Sequence, residues 1–283
     1  MITILLSLGT AFSYALQDYL MMPVARVASV VAGVLWIRVV AVFALLVTVA
    51  FVGGLPSGGE EWRAAGFAAL GGVFEVAAFM AWLTALSRGQ LSVVSPLGSL
   101  SSAFTVLFVL MIGQSVAAIV WVGLPLAVLG SALTSLEPAA DGSRSRSAAA
   151  GAGWAILAAA IFGVITIVFG QASALPAVSV ALFAGLSTLA VTVPMAIVLR
   201  AWRLPRRFHR RVGACGVLDA GALITFAAAT AVGPLSVVGI LVAQTGTMAV
   251  LLGMVLLGER PSRPQMAGIV LTLVAVTLLG AVA

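Results

Sequence analysis

Two carboxylates stand where an apolar chain should carry none. Glu75, in GVFEVAAF (Gly72–Phe79), has no charged residue within ten positions on either side, and Asp219, in GVLDAGAL (Gly216–Leu223), is likewise set among small and apolar residues. An ionised acid in hydrocarbon costs a few kcal/mol, so such a group faces a polar cavity, pairs with a cation or holds a proton. Two readings of the pair stay open. Either they bind a proton, a cationic substrate or both, or each is neutral and hydrogen-bonded between helices. Arg38, in WIRVVAVF, lies ten positions into another apolar run and is their natural partner. It can neutralise Glu75, hold a substrate carboxylate, or snorkel to an interface. One guanidinium is expected to serve at most one of the acids. Thr188, one possible counterpart of Arg38 further along, carries no charge. Glu75 is therefore expected to be ionised more often, and Asp219 to hold a proton more often.

Helical spacing adds neighbours to each acid. Gly71, Gly72, Ala78, Phe79 and Trp82 share the face of Glu75, and Cys215, Gly216, Ala222, Leu223 and Phe226 that of Asp219. Small residues let helices approach, and Phe79, Trp82 and Phe226 offer a cavity wall. The polar runs SPLGSLSS (Ser95–Ser102) and AQTGT (Ala243–Thr247) add Ser99, Ser102, Gln244 and Thr247 as cavity lining. There Pro96 and the glycines loosen the helices and expose carbonyls. The alternative for these runs is plain interhelical packing. Tyr14 and Gln17, one turn apart in YALQDYLMMP, can face a pore, and Asp18 is expected at a solvated interface.

The elements that must position these residues are membrane helices. Of 283 residues, 63% are hydrophobic and 8% charged, with mean hydropathy +1.24, too little charge to cover a soluble domain of this length. Apolar runs of about 20 residues recur from end to end. They predict ten spans, over 2–21, 29–52, 64–86, 91–112, 116–136, 149–170, 176–199, 212–232, 235–257 and 264–282. Strands are not expected, because barrel strands alternate polar and apolar residues over about ten positions. The first span lacks a basic leader region and reads as a retained helix.

EPAADGSRSRS (Glu137–Ser147) divides the spans five and five, giving units 1–136 and 149–283 around a 137–148 linker. The units repeat. RGQLSVVSPLG (Arg88–Gly98) matches VGPLSVVGILV (Val232–Val242) at an offset of 144, and after one inserted residue Gly113 meets Gly258 and Gly123 meets Gly268. The same offset carries Gly72 to Gly216, Val73 to Val217 and Glu75 to Asp219. Five spans is an odd number, so the second unit enters the membrane upside down, as in the inverted repeats of secondary transporters. The fold class is an all-α membrane protein of ten transmembrane helices in two inverted five-helix repeats.

With LLGERPSRPQMAGIVLTLVAVTLL closing the second half and Arg38 early in the first, this pattern resembles the EamA-type branch of the drug/metabolite transporter superfamily. There each half ends in a Gly-Glu-Arg-type turn before a Gly-bearing last helix. Gly258-Glu259-Arg260 fits that pattern, and Gly113-Gln114-Ser115 departs from it by losing both charges. The resemblance covers nearly the whole chain. It implies a helical secondary transporter and a central cavity lined by the helices that follow the acid-bearing ones.

All fourteen basic residues are arginines, and the net charge is +6. Twelve fall in alternate loops, six of them in RAWRLPRRFHRR (Arg200–Arg211), while Arg63 alone lies in the opposite set. The positive-inside rule puts the larger set in the cytoplasm and both termini outside, although the family is usually drawn with its termini inside. The Arg200–Arg211 loop reads as an anchor for anionic lipid in place of a nucleic-acid site. Glu259 reads as a turn and cap residue. The sequence has no Walker A loop, one histidine (His209) in the arginine cluster, and one cysteine (Cys215). It therefore offers no catalytic set, metal-ligand spacing, disulfide or cofactor motif.

The expectation is a multi-pass plasma-membrane transporter working by alternating access, a monomer or homodimer that moves a small metabolite or drug-like compound outward, with or without proton exchange. A passive channel or uniporter and a non-transporting partner, such as a lipid-carrier flippase subunit, are the alternatives.

Overall fold

The computed structural model describes residues 1–25, 29–88, 97–134, 148–258 and 262–279. Arg26, Gly89, Ser95, Pro96, the 137–147 part of the linker, Glu259 and Arg260 lie outside the described residues. The helices are α1 (Ile2–Ala25), α2 (Val30–Val52), α3 (Gly59–Arg88), α4 (Ser101–Met111), α5 (Val120–Thr134), α6 (Ala148–Gln171), α7 (Ala177–Val198), α8 (His209–Val232), α9 (Leu235–Val242), α10 (Thr245–Leu252) and α11 (Arg263–Leu279). A helix satisfies every backbone group within one segment, and that is why apolar runs of this length take this form in lipid. Among the described residues there is no strand.

Among the described residues, six stretches are long and apolar enough to cross a bilayer: Val31–Val52, Gly59–Ala85, Gly151–Gln171, Ala177–Val198, Arg206–Val232 and Leu235–Leu256. α1 has 24 residues, and α4, α5 and α11 have 11, 15 and 17. The count of ten spans thus rests on sequence, and the structure itself supplies six clear candidates.

Element ends have local causes. Gly53 closes α2 at φ +78°, its N–H donating to the Val49 carbonyl at 2.7 Å. α3 starts at Gly59, earlier than the expected 64, because the Glu61 carboxylate accepts the N–H groups of Ser57 (2.6 Å) and Gly58 (3.3 Å). α5 starts at Val120, later than the expected 116. A 3-10 turn, Arg206–Phe208, leads into α8, which starts before the expected 212.

The two runs expected to be continuous, 91–112 and 235–257, are broken. Leu97 and Gly98 are helical, Ser99 and Leu100 turn, and α4 follows; α9 ends at Val242, Ala243 and Gln244 turn, and α10 follows. These breaks lie 144 positions apart. Each run then ends on a left-handed glycine, Gly113 at φ +78° and Gly258 at φ +66°, a conformation that side-chain-bearing residues seldom adopt.

The packing alternates between halves of the chain. α3 lies on α6 and α7, and α8 lies on α1 and α2. α4 lies on α6, and α1 on α9 and α10; α2 packs on α7, α4 on α9, and α5 on α11. Exchange the halves and each contact turns into another contact of the same set. The main core joins α2, α3, α6, α7 and α8 through Leu45, Ala68, Phe169, Ala184 and Leu223. A second core joins α4, α5, α9 and α11 through Val106, Val120, Ile240, Leu241 and Leu279. The outward faces expose Phe43, Val198, Val217 and Leu273, the surface that lipid tails solvate.

Candidate functional site

Arg38 enters the interior on α2 because that helix is pressed between α7 and α8. Gly216 of α8 makes the approach possible. A methyl group there would meet the Val40 side chain and, at 2.9 Å, the Ile37 carbonyl oxygen. With Gly216 against Val40, Asp219 comes within reach of the long Arg38 side chain. The Arg38 Nη1 lies 2.9 Å from the Asp219 Oδ2, an ion-pair distance without hydrogen-bond alignment. The Arg38 Nη2 donates to the Glu75 Oε1 on α3. One guanidinium therefore holds both carboxylates.

This overturns the expectation that Arg38 serves one acid and leaves Asp219 to itself. The physical reason is the fork of the guanidinium: it presents nitrogens in different directions, and from α2, which packs on α8, the long side chain also reaches Glu75 on α3. The acids differ in access instead. The Asp219 side chain is 1% exposed and that of Glu75 17%.

α1 completes the site. Thr10 and Thr225 share a hydrogen bond of 2.8 Å, and the Cys215 thiol points at the Gln17 carbonyl at 3.8 Å. Between these two contacts, Tyr14 is level with Asp219, and its hydroxyl lies within the electrostatic reach of Glu75, Asp219 and Arg38. The Gln17 Oε1 is buried and accepts no hydrogen bond among the described residues. Asp18 is exposed, on the same helix.

The other expected residues make contacts of their own. Phe226 is 7% exposed and packs against Phe169, the rings tilted by 36° with centroids 5.0 Å apart, as part of the main core. Trp82 packs with Leu97 and Ala155 and lies so close to Gly98 that a methyl group there would meet its ring at 2.6 Å. Phe79 is half-buried on α3. Ser99 and Ser102 are buried at the first helix break, where the Ser102 hydroxyl donates to the Ser99 carbonyl at 2.8 Å.

Gln244 and Thr247, at the second break, belong to a separate buried knot. The Gln244 Oε1 accepts from Thr247 (3.4 Å) and Thr272 (3.3 Å), the Gln244 Nε2 donates to the Ile240 carbonyl (3.1 Å), and Thr247 also meets Thr134 at 3.3 Å. Such a saturated cluster ties α5, α10 and α11 together. Thr134 and Thr272 are the members that sequence reasoning missed; each is a threonine in an apolar helix, which looks like ordinary filling until a partner is known. Among the described residues, no three His, Cys, Asp or Glu side chains come together as a metal site needs.

The sequence profile of the EamA-like transporter family matches residues 1–136 and 149–281. No curated protein sequence matches the chain. Among solved structures, one crystal structure superposes with a TM-score of 0.83 at 17% identity, covering 99% of this chain and 99% of its own. At that identity, the likeness speaks for the fold.

Proposed function

The chain belongs to the EamA-like transporter family, a family of multi-pass membrane transporters for small molecules, and from that premise we propose that it is a proton-exchanging secondary exporter in the plasma membrane. The observation that carries this reading is the shared guanidinium. Arg38, Glu75 and Asp219, all charged, sum to one negative charge in a mostly buried place. Buried net charge is costly, so the site favours taking up one positive charge, a proton or a monovalent cation, at a time. Binding of one that expels the other is the elementary step of exchange.

In this reading the chain has ten spans in two inverted halves that rock about the triad. The exchange of contacts between halves, the paired helix breaks and the paired left-handed glycines support a two-fold relation, and an odd span count in each half makes the second copy inverted. The Arg38–Asp219 contact joins the halves, whereas Arg38–Glu75 lies within one. Neutralising Asp219 therefore loosens the link between halves and leaves the other pair in place. The exposed arginines of the Arg200–Arg211 loop face the cytoplasm and anionic lipid, with both termini outside.

The test is a thermal-shift screen of metabolites on the purified protein beside Glu75→Gln and Asp219→Asn, with the hits carried into proteoliposomes. A substrate stabilises wild type, loses its effect in both variants, and shows counterflow and accumulation under an imposed pH gradient. Flux without counterflow would instead identify a channel. Compounds that stabilise all three proteins equally would remove the triad from the binding site.

A further inference from the structure

The hydrogen-bond inventory around the triad is lopsided. Arg38 spends its Nη2 on Glu75 and turns its Nη1 toward Asp219 without alignment. Besides that Nη1, and the Ser7 Oγ two turns of α1 before Tyr14, the buried side-chain atoms left without a hydrogen bond among the described residues are four: the Glu75 Oε2, the Asp219 Oδ1 and Oδ2 and, one turn along α1 from Tyr14, the Gln17 Oε1. All four are acceptor oxygens. The Gln17 oxygen is independent of the charged cluster, since it belongs to a neutral side chain on a different helix, α1, where the Gln17 backbone carbonyl meets the Cys215 thiol, one turn of α8 from Asp219. An orphaned buried acceptor costs free energy until a donor arrives. Nearby, the Tyr14 hydroxyl can supply one donor and Arg38 Nη1 another after a small rotation, which leaves two oxygens still to be met.

We infer that this site takes a ligand that is both cationic and a hydrogen-bond donor: a protonated primary or secondary amine, in preference to a quaternary ammonium that has the charge and no N–H. This rests on the proposed role of the triad and narrows it to a substrate class. Charge satisfies the excess of one negative charge, and the N–H groups satisfy the acceptors. A trimethylated head meets the first need only and places methyl groups against unpaired oxygens.

The full chain, purified in detergent, is titrated with 2-phenylethylamine, its N,N-dimethyl form and its N,N,N-trimethyl form at a pH where the first two are protonated. The primary amine is expected to bind tightest, the dimethyl form more weakly, and the trimethyl form roughly tenfold or more below the primary amine, the scale of lost charge-assisted hydrogen bonds. Asp219→Asn is expected to abolish this ranking. Glu75→Gln serves in its place should the first variant lose its cooperative melt.

Equal or tighter binding of the trimethyl probe overturns the inference, as does binding of no probe, or an unchanged ranking in both folded variants. Transport is read separately, as pH-gradient-driven uptake of the bound amine by wild-type proteoliposomes. If the ranking holds and uptake ignores the gradient, the substrate class stands and the exchange reading falls. If the trimethyl probe binds best and its uptake follows the gradient, exchange stands and the donor requirement falls.

Discussion

At Gly72, α3 crosses α7 with its backbone against the Ala184 carbonyl and the Ser187 hydroxyl; at Gly216, α8 crosses α2 against Val40 and the Ile37 carbonyl. Gly72 and Gly216 are 144 positions apart, and so are their partners, Val40 and Ala184. The two crossings share one register. That register brings Asp219 within reach of the Arg38 side chain, and the residue 144 positions after Arg38 is Leu182. Leu182 is 2% exposed, a core residue. The backbone geometry is therefore duplicated and the charge is not. Two acids come from the two copies, one base comes from the first copy alone, and the base lies between them. The comparison also replaces Thr188 as the counterpart of Arg38: Leu182 stands at the equivalent register.

The largest effect should follow from removing the unshared element. Arg38→Met leaves two carboxylates facing each other, with Asp219 sealed. Taking one partner from a buried ion pair typically costs about 3–5 kcal/mol. The melting temperature in detergent should fall sharply. Adding Glu75→Gln and Asp219→Asn to the same variant should restore most of the stability and none of the transport. A single variant as stable as wild type would mean that Arg38 does not hold the acids together.

Next in size are the glycines that set the shared register. Gly72→Ala drives a methyl group into backbone, the Ala184 carbonyl, which cannot turn aside. Gly216→Ala meets chiefly the Val40 side chain, with the Ile37 oxygen at 2.9 Å behind it. Overpacking of this kind costs about 1–3 kcal/mol. Gly72→Ala is expected at the upper end and Gly216→Ala below it, read as melting-temperature shifts. The reverse order would show that the α2–α8 crossing is the more rigid of the two.

Much of this comparison was legible in the sequence, because the features that carry it are local or exactly spaced in chain position. Glu75, Asp219, Gly72 and Gly216 show their relation through one offset, and apolar length shows the helices. What the sequence hid depended on direction. Nothing in WIRVVAVF says that the Arg38 fork reaches two helices, and nothing in AQTGT says that Gln244 turns to Thr272 and away from the acids. Phe226 looked like a cavity wall because it shares a helix face with Asp219; two turns farther along, that face already meets Phe169 of α6.

The amide variants sharpen the difference in charge. Because Arg38 touches both acids, Glu75→Gln does not leave it unpaired; it leaves Arg38 with Asp219, and Asp219→Asn leaves it with Glu75. Each variant is a neutral pair in place of a triad with one excess negative charge. Stability should then change by no more than about 1 kcal/mol, the scale of one hydrogen bond. Transport in both should lose its dependence on an imposed pH gradient. Asp219→Asn, which cuts the contact between halves, should also open the structure more, read as faster amide hydrogen exchange in α8 than in Glu75→Gln. Equal exchange in the two would remove the linking role of Asp219.

The smallest expected effect comes from one hydroxyl that the two crossings do not share. Thr188 donates to the Gly72 carbonyl at 3.2 Å and to the Ala184 carbonyl of its own helix at 2.9 Å. The residue 144 positions earlier is Ala44, which has no hydroxyl to offer Gly216. Thr188→Ala thus makes the α3–α7 crossing chemically like the α2–α8 crossing. The bond lost to Gly72 is long and divided with the helix's own carbonyl, which places the cost at the low end of the usual range, about 0.5 kcal/mol. Alanine is the better helix former, which offsets part of even that. If the hydroxyl is only an accessory to a crossing set by glycine, Thr188→Ala and Gly72→Ala should combine with less than additive loss, since the methyl group at Gly72 already displaces the carbonyl that Thr188 bonds. A loss from Thr188→Ala as large as that from Gly72→Ala would instead make the hydrogen bond, and not the close approach, the feature that fixes α3 on α7.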